Sequence, residues 1–302
     1  MAEAVVPRIS VVTPSFNQGA FIEQTICSVL DQGYPNLEYI VIDGGSSDDS
    51  VALIRKYERH LSYWVSEPDR GQSHAINKGM ARATGALLTW LNSDDRYLPG
   101  ALSAVVAASA AHPDAQVFVG TGELVYPDRS RNARLPPPQV TLETTFDWCR
   151  GSDFLQPACF FRDAAWHAAG PIDEGVHIAF DVDLWFRMLQ RGLVFKTLPG
   201  VFAEATVHPG AKTSAHSYLK DTDFAIVAMR YGGERAARPI LEDMAIRLSW
   251  AEPNLKQLYA NPLFRFATRL AGYFVKPAVS RRDTVPRWLK TTPPAKPESR
   301  EQ

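Results

Sequence analysis

Apolar and polar positions in the first half of the chain switch between two periods. Ile9-Ser10-Val11-Val12-Thr13 is a β-branched run that predicts a short strand stopping at Pro14. Ile22, Ile26, Val29 and Leu30 then recur at helical spacing and predict one apolar helical face. Residues 37–42 predict a second strand, closed by Asp43-Gly44-Gly45. A helix over about 48–59 follows, with acidic residues in its first turn. Tyr63-Trp64-Val65-Ser66 predicts a third strand, residues 73–83 a helix closed by Thr84-Gly85, and residues 86–91 a fourth strand. Strands alternating with helices predict an α/β chain, with a mainly parallel sheet covered by helices on both faces.

Beyond Asp95 the pattern predicts a helix over 101–111 and a strand at 117–119. An Arg- and Pro-rich surface loop is expected over 126–140, and a short strand ends at Phe160-Phe161. Residues 181–190 read as a helix stopped by Gly192, and 194–206 as short strands around Pro199-Gly200. From about Ser214 only helical signals remain. The expected organisation is therefore one domain over 1–213, a helical extension over 214–279 and a tail over 280–302. That tail carries six Lys/Arg against three Asp/Glu and several prolines, and is expected to be disordered. Residues 263–276 are basic and amphipathic. Packing of their Phe, Leu and Tyr on the first domain is the favoured reading, and peripheral docking on an anionic membrane surface is the other.

Composition narrows the class. A chain of 302 residues with 45% hydrophobic content can bury one sizeable core, with room for an appendage. A formal net charge of −1 argues against nucleic acid as the main partner. Cys27, Cys149 and Cys159 are odd in number and lack C-x-x-C spacing, so reduced thiols in a cytoplasmic protein are expected. The first residues lack a basic and then apolar leader, so no secretory signal is expected. The longest uncharged stretch, 97–113, falls short of the roughly 18 apolar residues of a membrane span and reads as a buried helix.

Candidate chemistry sits where strands end. Leu91-Asn92-Ser93-Asp94-Asp95 puts two adjacent carboxylates directly after a buried strand, where like charge and desolvation oppose ionisation. A divalent cation, Mg²⁺ or Mn²⁺, would neutralise the pair, and its natural second partner is a diphosphate. The other strands end in Thr13-Pro14-Ser15-Phe16-Asn17, Asp43-Gly44-Gly45-Ser46-Ser47-Asp48 and Glu67-Pro68-Asp69-Arg70-Gly71-Gln72. If the strands are parallel, all four ends share one sheet edge, the edge at which open α/β sheets bind ligands.

In order and spacing, these segments resemble the family 2 inverting glycosyltransferases of GT-A (Rossmann-like) fold. Asp69-Arg70-Gly71-Gln72-Ser73-His74-Ala75-Ile76-Asn77-Lys78-Gly79 and Phe180-Asp181-Val182-Asp183-Leu184-Trp185-Phe186-Arg187 carry the resemblance as well. It covers about residues 8–210. It implies transfer of a sugar from a nucleoside-diphosphate sugar to a saccharide or lipid-linked saccharide hydroxyl, with inversion. It further implies that Asp94 holds the metal, with Asp95 helping and His208 completing the metal or diphosphate site. Asp181 is implied as general base, and Asp183 is assigned a structural role. Asp43 is implied to bind the nucleobase, with Pro14, Ser15 and Asn17 lining that pocket. Asp69, Gln72, Asn77, Asn92 and Ser93 fall on the nucleotide-sugar side, with Arg70 toward phosphate.

Two departures stand out. Asn92 replaces the first acid of the family's Asp-x-Asp motif, which removes a charge. The Gln-x-x-Arg-Trp of processive synthases is absent, since Thr284 stands in the Gln position before Arg287-Trp288. The absence of that motif favours single additions, and the resemblance implies a place in cell-surface polysaccharide or glycolipid assembly, in the cytoplasm or at the inner membrane face. The rival readings are a glycosyltransferase-like scaffold, which Asn92 favours, and a sugar nucleotidyltransferase. The latter lacks a Gly-rich basic loop after the first strand. Asp43 also fits a simple turn, Asp95 a first-turn helix acid and His208 a plain loop residue.

Overall fold

The computed structural model describes residues 6–146, 154–215, 217–260 and 262. In chain order the elements are β1 (Ile9–Ser15), α1 (Ile22–Leu30), β2 (Leu37–Asp43), α2 (Ser50–Lys56), β3 (Tyr63–Ser66) and α3 (Gln72–Met80). Next come β4 (Leu87–Trp90), β5 (Arg96–Tyr97), α4 (Ala101–Ala111), β6 (Val117–Val125), β7 (Arg131–Arg134) and α5 (Leu142–Phe146). The last are β8 (Cys159–Arg162), α6 (Asp163–Ala169), α7 (Phe180–Gln190), β9 (Phe195–Thr206), α8 (Lys212–Ala215) and α9 (Ser217–Ala260). Helix α9 is two stretches joined at Gly233, whose φ of 63° suits a residue without Cβ.

The strands form one sheet in the order β3-β2-β1-β4-β8-β6-β9-β5, with β7 paired to β6. The first four strands are mutually parallel because α1, α2 and α3 provide the crossovers between them. Strand β8 then runs antiparallel to both β4 and β6, β9 parallel to β6, and β5 antiparallel to β9. Period-2 alternation divides the side chains between two cores. Val12, Ile40, Ile42 and Trp90 face one, with Phe161 and Trp185. Ile9, Val11, Tyr39 and Val41 face the other, with Ile22, Phe118 and Phe160. Burial on both faces is why these strands read as continuous apolar runs. Gly79 lets α3 lie close on β1, since a Cβ there would sit 2.3 Å from Val12 Cγ1.

Three expectations are corrected. Strand β1 runs through Pro14 to Ser15. The Leu91 amide donates to the Val12 carbonyl and the Gly44 amide to that of Ser15. Alternation therefore turns Pro14 toward the β4 side, where that ladder has ended at Val12 and Trp90, so its missing N–H is not needed. The segment expected as a loop over 126–140 contains β7, which forms a hairpin with β6. Residues 195–206 form the single strand β9, whose ladder with β6 shifts register between Val119 and Gly122.

The described residues up to Glu242 form one compact unit, and those from Asp243 onward belong to a second and are helical. The basic segment 263–276, the tail 280–302 and Cys149 lie outside the described residues. No described helix is long and apolar enough to cross a membrane.

Helix α7 is tied to its surroundings by Asp183, which is fully buried. Its Oδ2 accepts from Arg187 Nε at 3.0 Å, and its Oδ1 accepts from Arg230 Nη1 at 2.6 Å and the Tyr231 hydroxyl at 2.9 Å. Removing one partner of a buried ion network strands the others. Asp183→Ala is therefore expected to cost about 3–5 kcal/mol of unfolding free energy, read from urea denaturation.

Candidate active site

Parallel pairing brings the polar strand ends to one place. A cleft of about 540 Å³ opens there, walled by Pro14, Ser15 and Phe16 after β1, Gly44 after β2, and Asp69, Gly71 and Gln72 after β3. Asn92, Ser93 and Asp94 after β4 complete that side, and His177, Gly210 and Lys212 close the other. Of the residues expected at the site, Pro14, Ser15, Asp69, Gln72, Asn92, Ser93 and Asp94 line the cleft.

The remaining ones, Asn17, Asp43, Arg70, Asn77, Asp95, Asp181 and His208, are not part of that lining. Asp43 is fully buried and spends its carboxylate on its own turn. Oδ2 accepts from the amides of Gly45 and Ser46 at 3.1 and 2.9 Å and from Ser66 Oγ at 2.6 Å, while Oδ1 accepts from Ser46 Oγ at 2.5 Å. This presents Gly44 to the cleft, where a Cβ would lie 2.8 Å from Asp69 Oδ2. Asn17, with φ of 52°, accepts from the Ser47 amide at 2.9 Å and stitches the β1 and β2 loops together. Arg70 makes a bidentate pair with Glu174 at 2.9 and 3.0 Å. Asn77 exchanges two hydrogen bonds with the Ile172 backbone, both 2.9 Å, and so holds the loop that carries His177.

Asp94 and Asp95 are adjacent in sequence but differ in surroundings. Asp94 faces the cleft, and its Oδ2 lies 3.1 Å from His208 Nε2. The His208 ring packs on Phe21, with centroids 4.4 Å apart. Asp95 is buried: Oδ2 accepts from Asn92 Nδ2 at 3.1 Å and Oδ1 from the Thr206 amide at 3.2 Å. Burial, and then the charge of Asp94, hold the Asp95 carboxyl well above the usual range. Asn92 joins Gln72 to this acid, because its Oδ1 accepts from Gln72 Nε2 at 2.8 Å. An aspartate at 92 has no N–H to offer Asp95 and would add a third carboxylate to the turn.

Asp94 and His208 provide an oxygen and a nitrogen donor side by side, a set that suits Mn²⁺ and is compatible with Mg²⁺. Among the described residues no group of three or more His, Cys, Asp or Glu side chains converges. Asp94 and His208 are the residues that could hold such an ion, and diphosphate oxygens and water would have to complete its shell.

Asp181 lies in the first turn of α7, partly buried and outside the cleft lining. Removal from water pushes its carboxyl up to about 6, against the Val182 and Asp181 amides and the charge of Lys212, which pull it down. Phe16 and Gly44 come from the strand ends expected at this edge, whereas His177 and Lys212 line the cleft from segments outside those ends. Lys212 carried a faint signal, a cation four places after His208 in a turn-rich segment. His177 carried none.

The model of the glycosyl transferase family 2 matches residues 10–166. The chain belongs to that family. An uncharacterized glycosyltransferase of Mycobacterium tuberculosis is 43% identical over 129 residues, which cover 41% of this chain and 49% of that protein. The GalNAc(5)-diNAcBac-PP-undecaprenol beta-1,3-glucosyltransferase of Campylobacter jejuni is 33% identical over 104 residues, 33% of this chain and 34% of that one. The match spans half or less of the length of these relatives. A mannosyltransferase of Pyrobaculum calidifontis, solved with GDP-Man and Mn²⁺, superposes with a TM-score of 0.55 at 17% identity. That superposition covers 88% of this chain and 84% of that one. The shared architecture is the GT-A fold.

The raised Asp181 carboxyl has a consequence for stability. Its folded value of about 6 exceeds the 3.8 of a free carboxyl, so its contribution is present below about pH 4 and lost as pH rises through 6. Asp181→Asn is expected to gain stability relative to the unsubstituted chain between pH 4 and pH 8, as read from paired urea unfolding curves.

Proposed function

We propose that this cleft transfers a sugar from a nucleoside-diphosphate sugar to an acceptor hydroxyl with inversion, one addition at a time. The observation that carries this reading is the separation of two acids. Asp94 faces the cleft beside His208, while Asp181, at the start of α7, is held near 6 by burial. In this reading the strand ends frame the donor. Pro14, Ser15 and Phe16 sit toward the nucleobase, with Asp43 and Asn17 shaping that pocket from behind. Asp69, Gln72 and Ser93 lie along the nucleotide sugar.

A Mg²⁺ or Mn²⁺ ion held by Asp94 and His208 would supply Lewis-acid neutralisation of the charge that develops on the departing diphosphate. The acceptor oxygen attacks the anomeric carbon from the face opposite the diphosphate. Asp181 takes its proton as the new bond forms, and the electron pair of the breaking bond leaves on the phosphate oxygen. Above pH 6 Asp181 is ionised and able to accept.

The Mn²⁺ and GDP-Man of the Pyrobaculum structure support the donor and metal assignment. The undecaprenol-linked substrate in the name of the Campylobacter relative supports a lipid-linked saccharide acceptor and a place in surface glycan assembly. Such an acceptor would bring the chain to a membrane face, where the basic residues of 263–276 meet anionic headgroups. Asn92, the feature that favoured a scaffold, has a structural reason in its bridge between Gln72 and Asp95.

Calorimetry with UDP, GDP and dTDP, with and without Mn²⁺, tests the donor site. One diphosphate is expected to bind in a metal-dependent manner, and Asp94→Ala is expected to abolish that dependence. Failure of all three to bind would overturn the reading. For the base, Asp181→Asn is expected to lower kcat about 10²–10⁴-fold with nucleotide affinity unchanged. The unsubstituted chain should show an acid limb in its pH–rate profile near 6 that the variant lacks.

A further inference from the structure

The cleft contains one lysine and no free arginine among its described lining. Asp69 and Asp94 are the acids on its wall, His177 and Lys212 the basic groups. Arg70 is already engaged by Glu174. A diphosphate entering this cleft would therefore meet Lys212 as its only ammonium or guanidinium partner there.

Lys212 stands where two demands meet. Its Nζ donates to Gln72 Oε1 at 3.4 Å, and Gln72 reaches on to Asn92, two residues before Asp94. On its other side the ammonium lies 5.3 Å from the centroid of Phe180, the residue that precedes Asp181. Its charge acts on Asp181, and Asp181 and Asp223 both act on it. Asp223, from α9, is buried and accepts from the Ile178 amide at 2.6 Å, so its position is fixed. The other titratable group coupled to Asp181 is the Cys159 thiol of β8, which is buried and pushed up. Lys212 is thus the one ammonium in this group, an exposed residue of the cleft lining on a four-carbon stem with several rotatable bonds.

We propose that Lys212 is a positioning residue shared between the two ends of the reaction. It attends Asp181 while the cleft is empty and turns onto the donor's diphosphate once that is bound. The inference rests on the glycosyltransferase reading. Its consequence is an order of events. Withdrawal of the ammonium from Asp181 raises the proton affinity of that carboxylate, so the base strengthens when a leaving group is in place. The ammonium itself loses no proton. It exchanges one anionic partner for another.

Lys212→Met and Lys212→Arg test this by two readouts. The first is calorimetry with the nucleoside diphosphate that binds in the panel of UDP, GDP and dTDP, against the corresponding monophosphate. Lys212→Met is expected to weaken the diphosphate about tenfold or more, with the monophosphate much less affected, and Lys212→Arg to restore most of the loss. The second is the acid limb of kcat/KM for the donor, which reports the free protein. It is expected to move to higher pH by about half a unit or more in Lys212→Met and to stay in place in Lys212→Arg. Equal weakening of both nucleotides, or an unmoved acid limb, would overturn the inference. An unsubstituted chain that binds no nucleotide overturns the glycosyltransferase reading itself, before any Lys212 variant is compared.

Discussion

Hydrogen bonding of β1 on both of its edges to parallel neighbours is the constraint on which this molecule depends. Because β2 and β4 run the same way as β1, and β3 the same way as β2, their carboxyl ends emerge on one side. Parallel pairing requires crossovers, and the crossovers place helices over both faces. Strands β1, β2 and β4 are then buried almost throughout, so the polar residues inside their ladders, Ser10, Glu38 and Thr89, are held by hydrogen bonds, and the polar clusters gather where the ladders stop. The cleft lies at those stops. Pro14 belongs to the same logic, since it occupies the first position on β1 at which the β4 side no longer needs a donor.

Within this frame, environment decides what each acid does. Asp43 and Asp183 are both fully buried, and each is surrounded by donors that consume its oxygens. They shape a turn and anchor a helix. Asp95 is buried with fewer donors and a charged neighbour, so its proton is retained more strongly than usual. Asp94 lines the cleft, and Asp181, outside its lining, accepts from the Val182 amide at 2.8 Å and is otherwise held up by burial. The same side chain thus takes on different properties according to desolvation and the number of N–H and O–H groups around it.

The site is closed by a distant part of the chain. Strand β5 pairs antiparallel with β9, Arg96 opposite Glu204, and the Thr206 amide bonds to Asp95. This short ladder delivers residues 207–212 to the end of β4. It sets His208 against Asp94 and Lys212 beside Gln72. Glu204, almost fully buried, is held by both Arg96 and Arg131, so the hairpin of β6 and β7 braces the same junction. The half of the sheet that carries no polar strand-end motif therefore fixes the geometry of the half that does.

Local periodicity by itself determined the strands at 9–13, 37–42 and 63–66, the helix over Ala101–Ala111 and the parallel α/β plan, because each follows from side chains within a few residues of one another. The crowding of polar residues at four strand ends was legible for the same reason, and with it the place of Asp94. Other features were decided only by the tertiary structure. Arg70 is turned away to Glu174, Asn77 is spent on the Ile172 backbone, Asn17 and Asp43 form loop contacts, and Lys212 is brought to the cleft. The physical reason is separation. His208 meets Asp94 across 114 residues and Arg70 meets Glu174 across 104, and no pattern within a strand or helix records which polar groups the closing of the sheet brings into contact.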